Sequence, residues 1–310
     1  MRTVKVAVPD LVSNSYFAAI AAVELGFFES EGLNATHDLI FPNFRAYEAL
    51  RDGSVDFVAA PAHVLLSTFP EWRGAKLLGA LSQGMFWLLV MRSDLGAIPG
   101  DVSAVKGRRI GAAPMVELGL KQLLAEEGIS LDLDRVTIDR VPGTMEPGVS
   151  FGVAAARALE EGKIDGFWAN AMGAENAVRS GIGTVILDVR RGLGPASAFH
   201  YTMPVLSTSD RVISRAPDTV AAALRAVVKV QRALKADPGL AINVGRKLFP
   251  SPEAELIGDV VARDLPYYDA TISEEAVLRM NQFARHVGLL KGSVPYEKVV
   301  ATDFRPLWEA

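Results

Sequence analysis

Apolar and polar positions follow two different periods along the first two thirds of the chain. Short runs with period two, such as residues 4–8, are typical of strands. Longer segments with apolar residues every three or four positions, such as 116–127, are typical of amphipathic helices. Strands and helices that alternate in this way predict an α/β fold with mostly parallel sheets and helices on their faces.

The predicted strands span residues 4–8, 34–41, 55–60, 108–112, 135–141, 164–168 and 184–187. The predicted helices between them span 16–25, 45–51, 116–127, 149–159 and 171–179. Ser13, Asn14 and Ser15 offer side-chain oxygens that could cap the first helix. From Pro217 onward the period is almost wholly helical, with further helices at 253–265 and 273–286.

Two segments far apart in the chain carry nearly the same phrase, EALRDGSVDFVAAP at 48–61 and RALEEGKIDGFWAN at 157–170. In each, a helix is predicted to end at a glycine, and a short buried strand begins just before an aspartate, Asp56 or Asp165. Two α/β lobes built on one plan would explain the repetition. A second explanation stays open, because helix–glycine–strand junctions resemble one another in many α/β proteins.

Two aromatic-rich, strand-like stretches interrupt the alternation, GMFWLLVMR at 84–92 and AFHYTMPVL at 198–206. We interpret them as two hinge crossings, where the chain leaves the first lobe and later returns to it. Residues 1–92 with 199–310 then form a discontinuous first lobe that includes the C-terminal helices. Residues 93–198 form an inserted second lobe, and a ligand cleft is expected between the two.

Composition removes several classes of function. The net charge is −4 and no basic run occurs, so we expect no nucleic-acid partner. Cysteine is absent, which removes disulfides, thiolate metal sites and thiol nucleophiles. The longest uninterrupted apolar run, 85–91, is far shorter than the roughly 20 residues of a transmembrane helix. The four histidines show no metal-ligand spacing, and we predict neither a metal nor a cofactor.

The N-terminal stretch MRTVKVAVPDLV lacks the apolar core and the small-residue cleavage site of a secretory signal. Two locations therefore stay open. The protein is expected to be cytoplasmic if the chain is complete as written, and periplasmic if a signal has been removed from it. We expect a monomer in either case.

Four motifs in a fixed order resemble those of one known family. FAAIAAVELGFFESEGL at 17–33 is similar to an opening helix with a G-F-F-x-x-x-G-L ending, and EALRDGSVDF is similar to an A-L-x-x-G-x-V-D step. VKGRRIGAAP with the following LKQLLAEEGI resembles an L-K-G-K-x-I-G strand and its helix. RALEEGKIDGFWAN resembles the second A-L-x-x-G-x-I-D-A step, although Gly166 replaces the usual alanine.

These motifs are those of the type II periplasmic binding proteins, in the branch that serves nitrate, sulfonate, taurine and thiamine-pyrimidine uptake. The resemblance extends over roughly residues 4–288. It implies a two-lobed solute-binding protein, each lobe a mostly parallel sheet flanked by helices, that closes on a small molecule by hinge motion. It also implies delivery of that molecule to the permease of an ABC transporter.

Ligands of open α/β sheets bind outside the carboxyl ends of strands, where loops lead into helix N-termini. This rule and the crossings select the following residues: Ser13, Asn14, Ser15, Tyr16, Pro61, His63, Trp87, Met115, Glu117, Ser150, Trp168, Asn170 and His200. None is Lys or Arg, so an anion would be held by amides, hydroxyls and helix dipoles beside an aromatic wall. We expect a sulfonate, an aromatic or other organic acid, or a pyrimidine-like compound.

Several of these residues have purely structural alternatives. The serines could only cap a helix, and either Phe167 or Trp168 must face the core. Glu117 could serve only the N-terminus of its own helix. His63 and His200 could be histidines of the protein interior with satisfied hydrogen bonds.

One enzyme motif occurs, GVSFG at 148–152, which matches the G-x-S-x-G nucleophile elbow. The residues before it, PGTMEP, cannot form the strand that the elbow requires, so Ser150 is interpreted as a helix cap and no catalytic residue is predicted. The resemblance leaves a second function open, a cytoplasmic decarboxylase or lyase of the same fold that acts on a small organic acid through His63, His200 or Glu117. Desulfinases and a pyrimidine synthase of this fold depend on cysteines, which this chain lacks.

Overall fold

The computed structural model describes residues 1–144 and 149–309. Contacts divide the chain into two compact units, unit 1 with Met1–Gly84 and Thr202–Ala310, and unit 2 with Met85–Tyr201. These limits differ from the sequence-based limits at 92/93 and 198/199. The reason is hydrogen bonding: the strand Leu88–Arg92 pairs only with strands of unit 2 among the described residues.

The described residues form two five-stranded sheets, one in each unit. The strands of unit 1 are β1 (Arg2–Val8), β2 (Leu33–Leu39), β3 (Phe57–Pro61), β4 (Ala75–Ala80) and β10 (Pro204–Ser209). The strands of unit 2 are β5 (Leu88–Arg92), β6 (Arg109–Ala112), β7 (Thr137–Asp139), β8 (Gly166–Ala169) and β9 (Gly183–Asp188).

Most helices belong to unit 1. They are α1 (Phe17–Glu24), α2 (Phe27–Ser30), α3 (Asn43–Asp52), α7 (Asp210–Arg215), α8 (Pro217–Ala236), α9 (Leu240–Leu248), α10 (Ser251–Asp264), α11 (Glu274–His286) and α12 (Tyr296–Val299). Unit 2 contains α4 (Glu117–Glu126), α5 (Phe151–Glu160) and α6 (Ala171–Arg179). Short 3₁₀ helices used below are Ala62–Ser67 and Thr302–Trp308 in unit 1 and Ala196–His200 in unit 2. In the described part of the chain no helix is both long and apolar enough to cross a membrane.

The two sheets share one plan. Their strand orders are β2-β1-β3-β10-β4 and β7-β6-β8-β5-β9. In each sheet four strands run parallel, and one strand, β10 or β5, runs antiparallel between two of them. The antiparallel strand is in each case the first one after a crossing. The predicted α/β fold with mostly parallel sheets is confirmed.

The repeated phrase lies in two different sheets and has the same local structure in both. Asp56 Oδ2 accepts a hydrogen bond from the backbone N–H of Lys5 at 2.9 Å, and Asp165 Oδ2 accepts one from Arg109 at 2.9 Å. Each aspartate also donates its own N–H to the carbonyl of that same residue, at 3.0 and 2.8 Å. The aspartate therefore joins the start of its own strand to the neighbouring parallel strand in each unit.

Two local features differ from the sequence-based prediction. The N-cap residue of α1 is Tyr16, and no side chain makes a capping bond there, so the capping role predicted for the preceding serines is wrong. Strand β4 was not predicted. Its residues are nearly all buried, because Trp308 Nε1 and Gln231 Nε2 cover its length by donating to the carbonyls of Leu78 and Ala80, both at 2.9 Å. A strand buried in this way lacks the alternation that marks a half-exposed one.

Candidate functional site

In unit 1 the neighbouring strands β1 and β3 end beside each other and lead into two loops that carry predicted residues. The loop after β1 contains Ser13, Asn14, Ser15 and Tyr16, and each of these is at most 5% exposed. Pro61 is the last residue of β3, and the 3₁₀ helix Ala62–Ser67, which contains His63, follows directly. The strand-end rule therefore brings six predicted residues to one edge of this sheet.

Asn14 is held by a residue that lies far along the chain. Its Nδ2 donates to Asp264 Oδ2 at 2.6 Å, and Asp264 is the last residue of α10 and only 2% exposed. The Tyr268 hydroxyl donates to the Asn14 carbonyl at 3.4 Å. Among the described residues, Asn14 Oδ1 and Ser15 Oγ have no hydrogen-bond partner although both are buried. Leaving such a group unsatisfied costs about 1–3 kcal/mol, which a ligand atom could recover.

The loop after β1 is acidic. Asp10 is 9% exposed and accepts a hydrogen bond from the N–H of Val12 at 2.9 Å. Burial raises the pKa of the Tyr16 hydroxyl well above its ordinary value, and the charge of Asp10 and then Tyr47 raise it further. Tyr16 is therefore a neutral phenol at physiological pH. The segment from Pro9 to Tyr16 contains no Lys or Arg.

His63 lies in the interior of unit 1. Its Nδ1 is 2.9 Å from Thr202 Oγ1, and its ring packs edge-on against Phe283 with centroids 5.6 Å apart. The side chain is fully buried. This geometry favours the structural alternative for His63. Pro61 likewise has a structural partner, since its carbonyl accepts a hydrogen bond from the Tyr47 hydroxyl at 3.3 Å.

In unit 2 the corresponding neighbouring strands are β6 and β8, and each leads into predicted residues. Met115 and Glu117 follow β6, whereas Trp168 and Asn170 lie at the end of β8. Met115 has a φ of 70°, a left-handed backbone conformation that is uncommon for a residue with a side chain. Such conformations persist only where surrounding structure imposes them, and they cluster at functional sites.

An aromatic cluster accompanies the end of β8. The rings of Trp168 and Trp87 have centroids 6.3 Å apart, and Trp87 and Phe86 have centroids 4.6 Å apart. The guanidinium of Arg190 lies 5.8 Å from the Phe86 ring centroid, a cation–π distance. Trp168 is fully buried, yet its Nε1 has no partner among the described residues. A buried indole N–H usually has one, so this donor is available to a ligand.

The first turn of α4 packs against the same cluster. A Cβ placed on Gly119 would lie 2.9 Å from Met85 Cε, so the end of that side chain would have to shift, and 3.6 Å from Trp87 Cζ3, an ordinary contact distance. Glu117, the first residue of α4, is half-buried, and its Oε2 has no partner among the described residues. Burial raises the pKa of Glu117, and the helix N–H groups with the charges of Lys121 and Arg140 offset this only in part.

The N-termini of α5 and α6 are in direct contact. A Cβ on Gly173 would lie 2.5 Å from the Gly152 carbonyl oxygen, and one on Gly152 would lie 2.7 Å from Asn170 Oδ1. Asn170 caps α6 by accepting a hydrogen bond from the Gly173 N–H at 3.2 Å. Ser150 is the N-cap residue of α5, as predicted, but its side chain makes no capping bond. The rest of the G-x-S-x-G motif includes Gly148, which lies outside the described residues.

His200, from the second crossing, ends the 3₁₀ helix Ala196–His200 and is half-buried. Its ring packs edge-on against Phe199 with centroids 5.0 Å apart. In residues 1–144 and 149–309, no group of three or more His, Asp or Glu side chains is placed to hold a metal ion.

Sequence reasoning missed three residues that the structure places at these strand ends. Asp10 lies two residues after the end of β1, so the strand-end rule could have selected it. Asp264 and Arg190 carry no local signal. Asp264 reaches Asn14 across 250 positions of sequence, and Arg190 reaches Phe86 from a short 3₁₀ segment after β9.

Comparison with solved structures identifies the fold as that of the periplasmic binding proteins. The family model described as NMT1/THI5 like matches residues 14–241, which is most of the chain. The protein therefore belongs to the NMT1/THI5-like family. The comparison with curated proteins gives no match.

Three solved structures illustrate the likeness. The periplasmic nitrate-binding protein NrtA from Synechocystis PCC 6803 is 14% identical with a TM-score of 0.74, covering 100% of this chain and 88% of that one. The alkanesulfonate-binding protein SsuA from Xanthomonas axonopodis pv. citri, bound to MOPS, is 14% identical with a TM-score of 0.73, covering 96% and 98%. The desulfurization enzyme DszB is 14% identical with a TM-score of 0.64, covering 99% and 98%. At these identities the likeness establishes the fold alone.

Proposed function

We propose that this protein is a solute-binding protein that binds a small organic molecule for uptake by an ABC-type transporter. One observation carries the proposal: predicted site residues in both units have buried polar atoms without a partner among the described residues. These atoms are Asn14 Oδ1, Ser15 Oγ, Glu117 Oε2 and Trp168 Nε1. Buried polar groups in folded proteins are nearly always satisfied, so such atoms at strand ends favour a ligand that completes their hydrogen bonds.

Further support comes from the surroundings of these atoms. In unit 2 the aromatic cluster around Trp87 and Trp168 offers an apolar wall, and the contacting N-termini of α5 and α6 offer backbone N–H groups. In unit 1 the loop after β1 offers hydroxyl and amide groups. The groups of unit 2 suit a small molecule with an aromatic or apolar body, and those of unit 1 suit polar substituents that form hydrogen bonds.

The names of the neighbours agree with this proposal. NrtA is named as a nitrate-binding protein and SsuA as an alkanesulfonate-binding protein, both of them binding proteins rather than enzymes. By the same likeness we propose a periplasmic location and a transporter permease as partner. The monomeric state remains a prediction from the sequence. DszB shares the fold, but no observation on the described residues of this chain favours catalysis: His63 is bound to Thr202 in the interior, and cysteine is absent.

The proposal is tested by thermal denaturation in the presence of candidate ligands. The panel contains nitrate, alkanesulfonates, aromatic acids, amides, amines and pyrimidines. A ligand that binds only the native state adds RT ln(1 + [L]/Kd) to the free energy of unfolding, about 2.7 kcal/mol at 100 times Kd. We expect at least one compound to raise Tm by several degrees. A flat response over the whole panel would contradict the proposal.

Two matched variants show whether the response comes from the site. Trp168→Phe keeps an aromatic ring and removes an N–H that has no partner among the described residues. It should weaken the ligand, and it should lower Tm without ligand less than the control does, because both variants leave a similar cavity but only the control also breaks a hydrogen bond. Trp72→Phe is the control, because Trp72 Nε1 donates to Asn281 Oδ1 at 3.0 Å in the core of unit 1. It should lower Tm without ligand and leave affinity unchanged. If Trp168→Phe lowers Tm more than Trp72→Phe does and leaves the ligand affinity unchanged, Trp168 belongs to the core and not to the site.

A further inference from the structure

The orientation of the Asn14 side-chain amide follows from the chemistry of its partner. Asp264 offers a carboxylate, and a carboxylate only accepts hydrogen bonds. The atom at 2.6 Å from Asp264 Oδ2 must therefore be the Asn14 nitrogen, and the amide oxygen must point the other way. Asn14 is 1% exposed and Asp264 is 2% exposed, so water does not compete for this bond.

The result is a loop that presents acceptors. Asn14 Oδ1 has no partner among the described residues and can only accept, and the neighbouring Ser15 Oγ, also without a partner there, can accept as well. The Tyr268 hydroxyl, a possible donor, is directed to the Asn14 carbonyl. Asp10 is the one carboxylate of this loop, between Pro9 and Tyr16. At Asn14 Oδ1 an oxyanion would meet an acceptor, whereas an N–H group would meet a matching partner.

We propose that unit 1 binds a nitrogen hydrogen-bond donor of the ligand, an amide, amidine or amine N–H, and that Asp264 is the positioning residue that imposes this preference by orienting Asn14. This inference rests on the proposed function and narrows its ligand class to compounds that carry an N–H donor. Nitrate and simple sulfonates, which carry none, are excluded from the contacts of this loop.

The experiment compares four probes that share one aromatic ring. Benzamidine and benzamide carry N–H donors, with and without a positive charge, whereas benzoate and benzenesulfonate are oxyanions without donors. Thermal shifts and titration calorimetry on the full chain measure Kd for each probe. We expect the two donors to bind at least about tenfold more tightly than the two oxyanions, the discrimination that 1.4 kcal/mol provides.

Asp264→Asn tests the role of Asp264. An asparagine at this position offers both a donor and an acceptor, so the Asn14 amide is free to reverse and present its nitrogen. The ratio of oxyanion Kd to donor Kd should then fall by about tenfold. Asp259→Asn, an exposed position on the same helix with the same change of charge, should leave the ratio unchanged. A purely structural role for Asp264 would weaken all four probes alike.

Ser15→Ala provides a second variant in case Asp264→Asn fails to fold. It removes a buried hydroxyl that has no partner among the described residues, so Tm without ligand should be unchanged while donor probes weaken two- to tenfold. Oxyanions that bind as tightly as the donors would overturn the inference and leave the proposed function standing. A flat response to these four probes and to the wider panel would overturn both. If the ratio of oxyanion Kd to donor Kd is the same in Asp264→Asn as in the wild type, Asp264 does not set the preference and the inference is wrong.

Discussion

At the scale of single residues, the predicted site differs from the protein core in how polar atoms are satisfied. Asn281 and Thr202 illustrate the core, where a buried polar side chain meets a partner at about 3 Å. Asn14 and Trp168 are equally buried, yet each has an atom without such a partner among the described residues. Burial alone therefore does not separate these two residues from the core, whereas the unsatisfied atom of each does.

Glu117 gives a pH-dependent prediction. Burial raises its pKa in the folded protein, so the folded state binds a proton that the unfolded state releases. The free energy of unfolding therefore falls as pH rises from the ordinary glutamate pKa, about 4.3, through the raised folded-state value. Glu117→Gln removes this loss, so the variant should exceed the wild type in Tm at pH 7, by on the order of 1–4 °C, and not at pH 4.

The measurement is Tm against pH from 4 to 8 for both proteins without ligand. Glu29→Gln is the control, because Glu29 is exposed and also lies in the first turn of a helix. At pH 7 its difference from the wild type should be smaller than that of Glu117→Gln. If Tm depends on pH in the same way for Glu117→Gln and the wild type, ionisation of the buried Glu117 side chain does not lower the stability of the protein.

The residues that sequence reasoning found and missed at the site differ in one respect. Asn14 follows a strand that the local pattern predicts and Trp168 ends another, so the strand-end rule selects both. Asp264, which orients Asn14, is brought there by the packing of α10, and no local pattern encodes that packing. The sequence therefore predicts which loops carry the site, but not which atom each side chain presents.

At the scale of elements, the repeated aspartates serve as joints between neighbouring parallel strands. Asp165 makes additional bonds: its carboxylate accepts from Arg109 Nε at 3.1 Å and from Nη2 at 3.2 Å. Burial alone would raise the pKa of Asp165, but the bonds from Arg109 outweigh it, and the pKa is lowered. Asp56 has the backbone bond from Lys5. The same motif should therefore stabilise the second sheet more strongly than the first.

We predict that Asp56→Ala and Asp165→Ala each lower the free energy of unfolding by about 1–2 kcal/mol, with the larger loss at Asp165. The loss at Asp165 should be present above the ordinary aspartate pKa, about 3.9, and should shrink as pH falls through the lowered folded-state value. Urea denaturation at pH 7 and pH 3 measures both effects. Asp52→Ala, at an exposed position within the first repeat, is the control and should change little. Equal losses of unfolding free energy at Asp52, Asp56 and Asp165 would contradict the role of the two repeated aspartates in joining neighbouring strands.

At the scale of the whole molecule, periodicity predicted the strands that alternate with helices, including the edge strands β2, β7 and β9. It failed where burial removes alternation, as in β4, and where a strand serves a different sheet from the one before it in sequence, as in β5. Strand β5 was assigned to the first lobe because it directly follows that lobe in the chain. Its hydrogen bonds to β8 and β9 place it in unit 2, and pairing between distant segments is information that a local pattern does not contain.

The last prediction concerns the independence of unit 2. Its two ends are joined, since the Met85 N–H donates to the Phe199 carbonyl at 2.8 Å, and its sheet is complete within residues 85–201. A fragment of residues 85–201 should therefore fold alone, with a cooperative thermal transition and dispersed NMR signals. A fragment of residues 93–198, the limits that periodicity predicted, is the matched control. It lacks β5, which lies between β8 and β9, so β9 loses its only partner strand among the described residues and this fragment should not fold. The division of the chain at 84/85 and 201/202 would be contradicted if the shorter fragment folded cooperatively. It would also be contradicted if neither fragment folded.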